Sequence, residues 1–147
     1  MGTTVTKKRA SGRQRLLKEG VDFHGHLGPY LVFGLRMGVI AIQRLKPKRL
    51  HELSATVWTR KSPPESCMLD GIQVSSGCTL GKGNIIVKES QRIKVRFRKG
   101  NRVILIGPTE KTAALLSRVS ASSPQREVQE IALALHRMPD HELFTVE

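Results

Sequence analysis

The hydrophobic pattern of the chain predicts an α+β fold, in which helices pack on one face of an antiparallel or mixed sheet. Strand patterns are concentrated between residues 53 and 107, and helical patterns lie mainly before and after them. Elements grouped in this order favour a sheet that is covered by helices on one side. The length of 147 residues and the hydrophobic content of 39% suit one compact domain.

The N-terminal part of the chain is basic and then helical. Residues 1–15 are predicted to be a flexible tail, and residues 16–147 to form the core domain. A first helix is expected over residues 11–19, where Gly20 would end it.

A mostly buried second helix is predicted over residues 30–45. Pro29 suits its first turn, where the N–H that proline lacks would have no helical partner. Gly34 and Gly38 lie four residues apart on one face, so a second backbone can come close there. That backbone would belong to the same core or to a second copy of the chain.

Alternating apolar and polar residues predict four strands, with a short helix at residues 67–74 between the first and the second. The strands are expected at residues 53–60, 84–89, 92–98 and 102–107. Short turns between the last three indicate antiparallel neighbours, with residues 102–107 as a central strand. Residues 92–98 place Phe97 on an apolar face and four cations on the other. These cations are Arg92, Lys94, Arg96 and Arg98.

The C-terminal part predicts two helices and a strand. The first helix is expected over residues 110–118. Ser123 and Pro124 suit the cap and the first turn of the second, which Pro139 ends. The stretch "ELFTV" predicts a last short strand.

The net charge of +13 favours anionic partners. Specific nucleic-acid binding is disfavoured, though still open, because Phe97 faces away from the cations and aromatic residues make up only 4% of the chain. No apolar run is a clean membrane span, and the N-terminus lacks the apolar core of a signal peptide. We therefore expect a cytoplasmic protein without a membrane partner.

The stretch "DFHGHLGPY", residues 22–30, places two histidines one residue apart between glycines. Imidazoles are common metal ligands and carry protons near neutral pH. In an extended loop His24 and His26 would point the same way and could converge on one ion. The alternative is that both bond backbone groups at the entry to the helix.

A second glycine-rich stretch, "CMLDGIQVSSGCTLGKGN", holds the two cysteines of the chain, Cys67 and Cys78. In a reducing compartment these thiols are buried apolar groups or else ligands and nucleophiles. Asp70 either caps the following turn, or it assists proton transfer or orients a histidine. Free amides beside Lys82 could hold an anion, unless Lys82 is only a solvated charge.

Together, "FHGHLGPYLVFGLRMG" and "CMLDGIQVSSGCTLGKGNI" resemble the E-subunit family of formylmethanofuran dehydrogenase over roughly residues 16–147. Members look like compact α+β domains that form dimers. Some carry a C-terminal four-cysteine zinc finger, which this chain lacks. The first family motif has a cysteine where this chain has Gly28, so the usual ligand set is incomplete.

The resemblance implies a divalent metal, with zinc as the first choice. Its ligands would be His24, His26, Cys67 and Cys78. Catalytic roles would fall to Cys78, Asp70 and His26, with Asp70 assisting proton transfer or orienting a histidine. An anionic substrate group would be bound by Gln73, Thr79, Gly81 and Lys82.

Three functions follow as hypotheses, and whether the chain is an enzyme stays open. The preferred one is a metal-binding, enzyme-like domain linked to one-carbon (formyl) metabolism, methanogenesis and molybdenum or tungsten formylmethanofuran dehydrogenases. The second is an accessory subunit or metal carrier that docks on a larger oxidoreductase. The third is a basic nucleic-acid-binding module. A homodimer and an anionic small-molecule substrate are the other expected partners.

Overall fold

The structure is a computed structural model, which describes the backbone of residues 2–147 and the side chains of residues 12–147. Over these residues it has six α-helices and a five-stranded sheet, which confirms the α+β fold. The helices are α1 (Gly2–His24), α2 (Pro29–Leu45), α3 (Met68–Ser76), α4 (Glu110–Ser117), α5 (Gln125–Arg137) and α6 (Asp140–Leu143). No helix in this part of the chain is both long and apolar enough to cross a membrane.

The first helix extends further than the sequence predicts. It continues through Gly20 to His24, because Gly20 is buried in contact with Leu35 of α2 and serves helix packing. The flexible tail predicted for residues 1–15 rests largely on residues 1–11, whose side chains lie outside the described part of the chain. That tail stays a prediction.

The sheet is mixed, with the strand order β2-β1-β3-β4-β5. β1 and β2 are parallel, and the other three pairs are antiparallel. The strands are β1 (Leu53–Thr59), β2 (Ile85–Glu89), β3 (Lys94–Lys99), β4 (Arg102–Pro108) and β5 (Phe144–Val146).

β4 is a central strand, as predicted, since it pairs with β3 on one side and β5 on the other. One expectation about strand order is wrong, because β2 does not pair with β3. The reason is that α3 carries the chain from β1 to a parallel β2, and the chain then turns past the end of β1, where the Ser90 N–H donates to the Thr59 carbonyl. β3 therefore enters the sheet on the other side of β1.

The start of α5 differs by one residue from the prediction. Pro124 occupies the cap position, and the helix begins at Gln125. Ser123 is not the cap, because its hydroxyl accepts the N–H of Ser120 in the preceding turn.

The core lies between one face of the sheet and the helices. Every second residue of β1 and β3 is buried there, among them Val57 and Phe97. They pack in one apolar cluster with Phe33 and Met37 of α2 and with side chains of α4 and α5. The opposite face of the sheet is open to solvent, and its side chains are largely exposed.

The glycines of α2 allow α3 to approach until the two backbones touch. A Cβ on Gly34 would lie 2.1 Å from the Met68 carbonyl oxygen, and one on Gly71 of α3 would lie 2.3 Å from that of Leu31. A Cβ on Gly38 would meet the α3 side chain of Ser75. This face of α2 is therefore used within the chain, and the homodimer stays a prediction that it does not support.

Arg36 fixes the C-terminal end of α5 against α2. Its Nη1 donates to the carbonyl oxygens of Leu135, His136 and Met138, which end that helix. Its Nη2 lies 2.5 Å from the Asp140 carboxylate. A buried guanidinium is tolerated here because its donors have partners.

Candidate functional site

The two sequence motifs meet at a hydrogen bond between His24 and Asp70. His24 is the last residue of α1, and Asp70 lies in the first turn of α3. Nδ1 of His24 lies 2.6 Å from Oδ2 of Asp70, with side-chain exposures of 10% and 35%. This is the contact expected if Asp70 orients a histidine, as the sequence suggests.

This hydrogen bond determines which nitrogen of the His24 ring carries the proton. Because a carboxylate can only accept, Nδ1 carries the proton and Nε2 keeps its lone pair when the ring is neutral. Nε2 is buried and has no hydrogen-bond partner among the described residues. A buried polar atom without a hydrogen-bond partner lowers the stability of the fold by about 1–3 kcal/mol, so the position of Nε2 calls for a functional explanation.

His26 lies beside His24. The two ring centroids are 4.5 Å apart, and the turn between them is made by Gly25, whose φ of +103° favours glycine. Partial burial, with a smaller effect of His24, lowers the pKa of His26. The neutral ring, which is the form that binds metals, is therefore favoured at neutral pH.

Cys67 lies at the N-terminal side of the same region. It ends a 3₁₀ turn, Glu65–Cys67, directly before α3, and is partly buried. Burial raises the pKa of the Cys67 thiol, and the negative charges of Asp70 and Glu65 add to the effect. The Cys67 thiol therefore stays protonated at neutral pH unless a cation binds beside it.

Cys78 is placed elsewhere, two residues beyond the C-terminal end of α3. It is fully buried in the core, where its Sγ lies 3.5 Å from the Leu53 carbonyl oxygen, and burial raises its pKa. At a helical rise of 1.5 Å per residue, roughly 12 Å separate it from Asp70. In the described part of the chain, no three His, Cys, Asp or Glu side chains are gathered closely enough to hold a metal. The four predicted ligands therefore do not surround one point.

The position of the missing family cysteine faces the histidines. A Cβ built on Gly28 would lie 3.4 Å from Nε2 of His26, and apart from its two chain neighbours no other described residue lies within 4 Å. The φ of Gly28 is −142°, which any residue can adopt. A side chain at position 28 would therefore extend the His24–His26 pair without straining the backbone.

Most backbone amides of the predicted anion loop, residues 79–84, already donate hydrogen bonds to acceptors within the protein. The amide N–H groups of Thr79, Leu80 and Lys82 donate to Asn84 Oδ1, Gln73 Oε1 and Thr79 Oγ1 respectively, at 2.8–3.2 Å. The expected free amides are thus largely bonded inside the protein. Gln73 and Thr79 hold the loop together, and anion binding by Gly81 and Lys82 stays a prediction.

A cleft of about 1040 Å³ lies between α1, α2 and α5 and contains none of the predicted site residues. It is basic, since Arg13, Arg36 and Arg137 line it together with His136. The sequence suggests a surface position for His136, but its side chain is only 7% exposed because α5 packs it against α2.

Comparisons with known proteins agree with the fold. The family model FmdE, described as "Molybdenum formylmethanofuran dehydrogenase operon", matches residues 23–145. A tungsten formylmethanofuran dehydrogenase FmdE-like protein from Syntrophus aciditrophicus has a similar structure, with a TM-score of 0.61 and 15% sequence identity. The match covers 92% of this chain and 70% of that one. At this identity, the likeness supports the fold alone.

A curated relative shares only one region with the chain. A protein of Archaeoglobus fulgidus named "Probable S-adenosyl-L-methionine-binding protein" is 37% identical over 75 residues, which are 49% of this chain and 20% of that protein. The match thus spans a fifth of the relative's length. The family match, in contrast, includes both motifs and the whole sheet except the last residue of β5. The chain belongs to the FmdE family, as the paired histidine and cysteine motifs predict.

Proposed function

We propose that the chain is a metal-binding, enzyme-like domain in which Nε2 of His24 is the first ligand of a divalent cation. The observation that carries the proposal is this buried nitrogen, which has no partner in the described structure, while Asp70 holds Nδ1. A carboxylate on the far nitrogen of a histidine fixes the ring and raises its basicity, and it is the usual support of a metal-bound histidine.

His26 and Cys67 are the best further ligands, but both would have to move towards His24 on binding, because three such groups are not yet gathered in the described structure. The His26 ring is tilted beside that of His24, and Cys67 lies three residues before Asp70. Two imidazoles and one thiolate suit zinc, and cation binding would favour loss of the thiol proton that burial now retains. If zinc bound to these residues, it would supply Lewis-acid chemistry.

The proposed substrate class is a small one-carbon compound with an anionic group. The family description supports the one-carbon link, because it refers to the formylmethanofuran dehydrogenase operon. The net charge of +13 supports an anion. Lys82 remains the candidate anion contact in its loop, since its side chain is exposed and forms no ion pair within the described residues.

Zinc titration of the metal-free full chain against a chromophoric chelator tests the proposal. We expect one zinc per chain, and a loss of affinity of at least 100-fold in His24→Ala. The matched control is His141→Ala, which removes an exposed histidine from α6. Equal zinc affinity in His24→Ala and the wild type would overturn the proposal.

An accessory role is the second candidate. The curated relative is about five times as long as the shared region, so this kind of domain also occurs as a module of a larger protein. If the chain docks on a larger oxidoreductase, the native complex should be larger than 16.4 kDa and should persist in His24→Ala. A chain that elutes alone from its native cells would rule this role out.

A further inference from the structure

The open face of the sheet carries a tryptophan surrounded by cations. Trp58 lies on β1, opposite Lys88 of β2 and Lys94 of β3 in the strand register. Nζ of Lys94 is 4.7 Å from the ring centroid, and Nζ of Lys88 is 5.6 Å from it. Cζ of Arg96 lies 5.6 Å from the same ring centroid. The sequence hides this cluster, because three separate strands contribute to it.

The tryptophan lies on the face that the helices leave open. The inward residues of β1, β3 and β4 are buried beneath α2, α4 and α5, so alternation directs Trp58 and its neighbours outward. Apolar side chains are exposed on both sides of the cluster: Ile86 is 57% exposed and Val103 is 43% exposed. This sheet face thus combines apolar surface with cations.

The cations of this face have no carboxylate partners. In the described part of the chain, none of Lys88, Lys94, Arg96 and Arg98 forms an ion pair. Against a second copy of the chain, the same face would set like charges opposite one another. Its charge therefore suits a polyanion.

We propose that this sheet face binds single-stranded nucleic acid, with one base stacked on Trp58 and the phosphates on either side held by Lys88, Lys94, Arg96 and Arg98. A partly exposed aromatic ring on an open sheet face, with flanking cations, provides the two contacts that single strands need. In a duplex the bases are already stacked on one another, so no base is free to stack on the Trp58 ring.

Lys94 does not block the stacking position. An exposed cation–π contact is weaker than the stacking of a base on an aromatic ring, and the lysine side chain is long and mobile. A base can therefore replace the Lys94 ammonium over Trp58. The displaced ammonium then lies within reach of the adjacent phosphate.

Trp58 is the single tryptophan of the chain, so its fluorescence reports on this face directly. The full-length protein is titrated with a 15-nucleotide deoxythymidine strand, a uridine strand of equal length, a 15-base-pair duplex and heparin. We expect both single strands to quench the fluorescence, and their relative affinities to show whether RNA or DNA is preferred. Heparin, which has no bases, should leave the fluorescence unchanged.

Matched variants separate stacking from charge. Trp58→Leu should weaken single-strand binding, measured by anisotropy of labelled strands, roughly 10-fold or more, and Trp58→Phe should retain most of it. The triple variant Lys88→Gln, Lys94→Gln, Arg96→Gln should lower the slope of log affinity against log salt by about 2. The control triple Arg44→Gln, Lys48→Gln, Arg49→Gln removes equal charge away from this face and should have little effect.

Three results would overturn the proposal. One is equal single-strand affinity in Trp58→Leu and the wild type. Another is an equal loss of affinity in the two triple variants, which would mean unspecific attraction to polyanions. The third is a change of Trp58 fluorescence with protein concentration alone, together with dimer formation, which would mean that a second copy covers the face.

Discussion

Asp70 holds His24 by a 2.6 Å hydrogen bond that joins α3 to the end of α1 across 46 residues of sequence. The bond positions the histidine without using the nitrogen that faces the interior. Asp70→Asn keeps the shape of the side chain but replaces the carboxylate with a weaker acceptor. We expect this variant to lower zinc affinity roughly 10- to 100-fold, measured by chelator competition.

Asp22→Asn is the control for this measurement. Asp22 pairs with Lys18 on the exposed surface of α1, so its loss should leave zinc affinity unchanged. Unaltered affinity in Asp70→Asn would mean that Asp70 does not support a ligand.

Restoring the family cysteine should strengthen metal binding. A side chain at position 28 starts 3.4 Å from Nε2 of His26, so Gly28→Cys places a thiol next to the histidine pair. We expect a rise in zinc affinity of at least 10-fold, and a cobalt–thiolate charge-transfer band that the wild type shows more weakly. Gly28→Ala fills the same space without sulfur and should show neither change.

The two cysteines should behave in opposite ways. Cys67→Ala should weaken zinc binding and leave the free energy of unfolding nearly unchanged, because Cys67 is only partly buried. Cys78→Ala should lower that free energy by about 1 kcal/mol and leave zinc affinity unchanged, because Cys78 packs in the core. Zinc titration and urea unfolding of both variants provide the measurements, and a reversed pattern would identify Cys78 as the ligand.

Contact between the α2 and α3 backbones should make Gly71 intolerant of a side chain. A Cβ there would lie 2.3 Å from the Leu31 carbonyl oxygen, so Gly71→Ala forces the helices apart and should cost about 2 kcal/mol or more in urea unfolding. Gly12→Ala is the control, because its Cβ meets none of the described residues within 4 Å and helical alanine is favoured over glycine by up to about 1 kcal/mol. Similar stability of the two variants would contradict the close approach.

Protonation of His136 should destabilise the fold in acid. Burial lowers the pKa of His136 from its usual 6.5, and the charges of Arg13, Arg36 and Arg137 add to this, while Asp140 is the acid that faces the same cleft. As the pH falls below about 6.5, the unfolded chain binds more protons than the folded one, so the free energy of unfolding decreases.

The variant His136→Gln lacks this titration. Its free energy of unfolding, measured in urea from pH 7 to pH 5, should decrease less than that of the wild type. His51→Gln, at an exposed histidine, is the control and should follow the wild type. Parallel curves for His136→Gln and the wild type would exclude the effect.

Local sequence patterns predicted most of the helices and strands. The pairing of the strands depends on tertiary contacts, so the sequence predicted it less well. Alternation placed β1 and β3 within one or two residues, because each has one buried face. The partner of β2 could not be predicted in the same way, since a short connection is compatible with pairing or with passage around the end of β1. The family resemblance was confirmed because its motifs do not depend on strand order.

The site was predicted in part for a similar reason. Asp70 and Cys78 share one motif, but Asp70 lies in the first turn of α3 and Cys78 lies beyond its other end, so only Asp70 reaches His24. Spacing in sequence does not show which end of α3 the histidines meet. The pattern of residues 53–60 puts Trp58 on the polar face of β1, but its cationic neighbours lie on other strands and are defined only by the strand register.

The glycine contact between α2 and α3 also limits how His24 and Asp70 can separate. Gly71 follows Asp70 directly and lies against the α2 backbone, so side chains do not separate the two helices at this point. The first turn of α3, which carries Asp70, is therefore held close to α2. His24 ends a different helix, and Gly25 is the first joint after it. A change in the separation of His24 and Asp70 would accordingly have to come from the end of α1, near Gly25, rather than from the contact of α2 and α3.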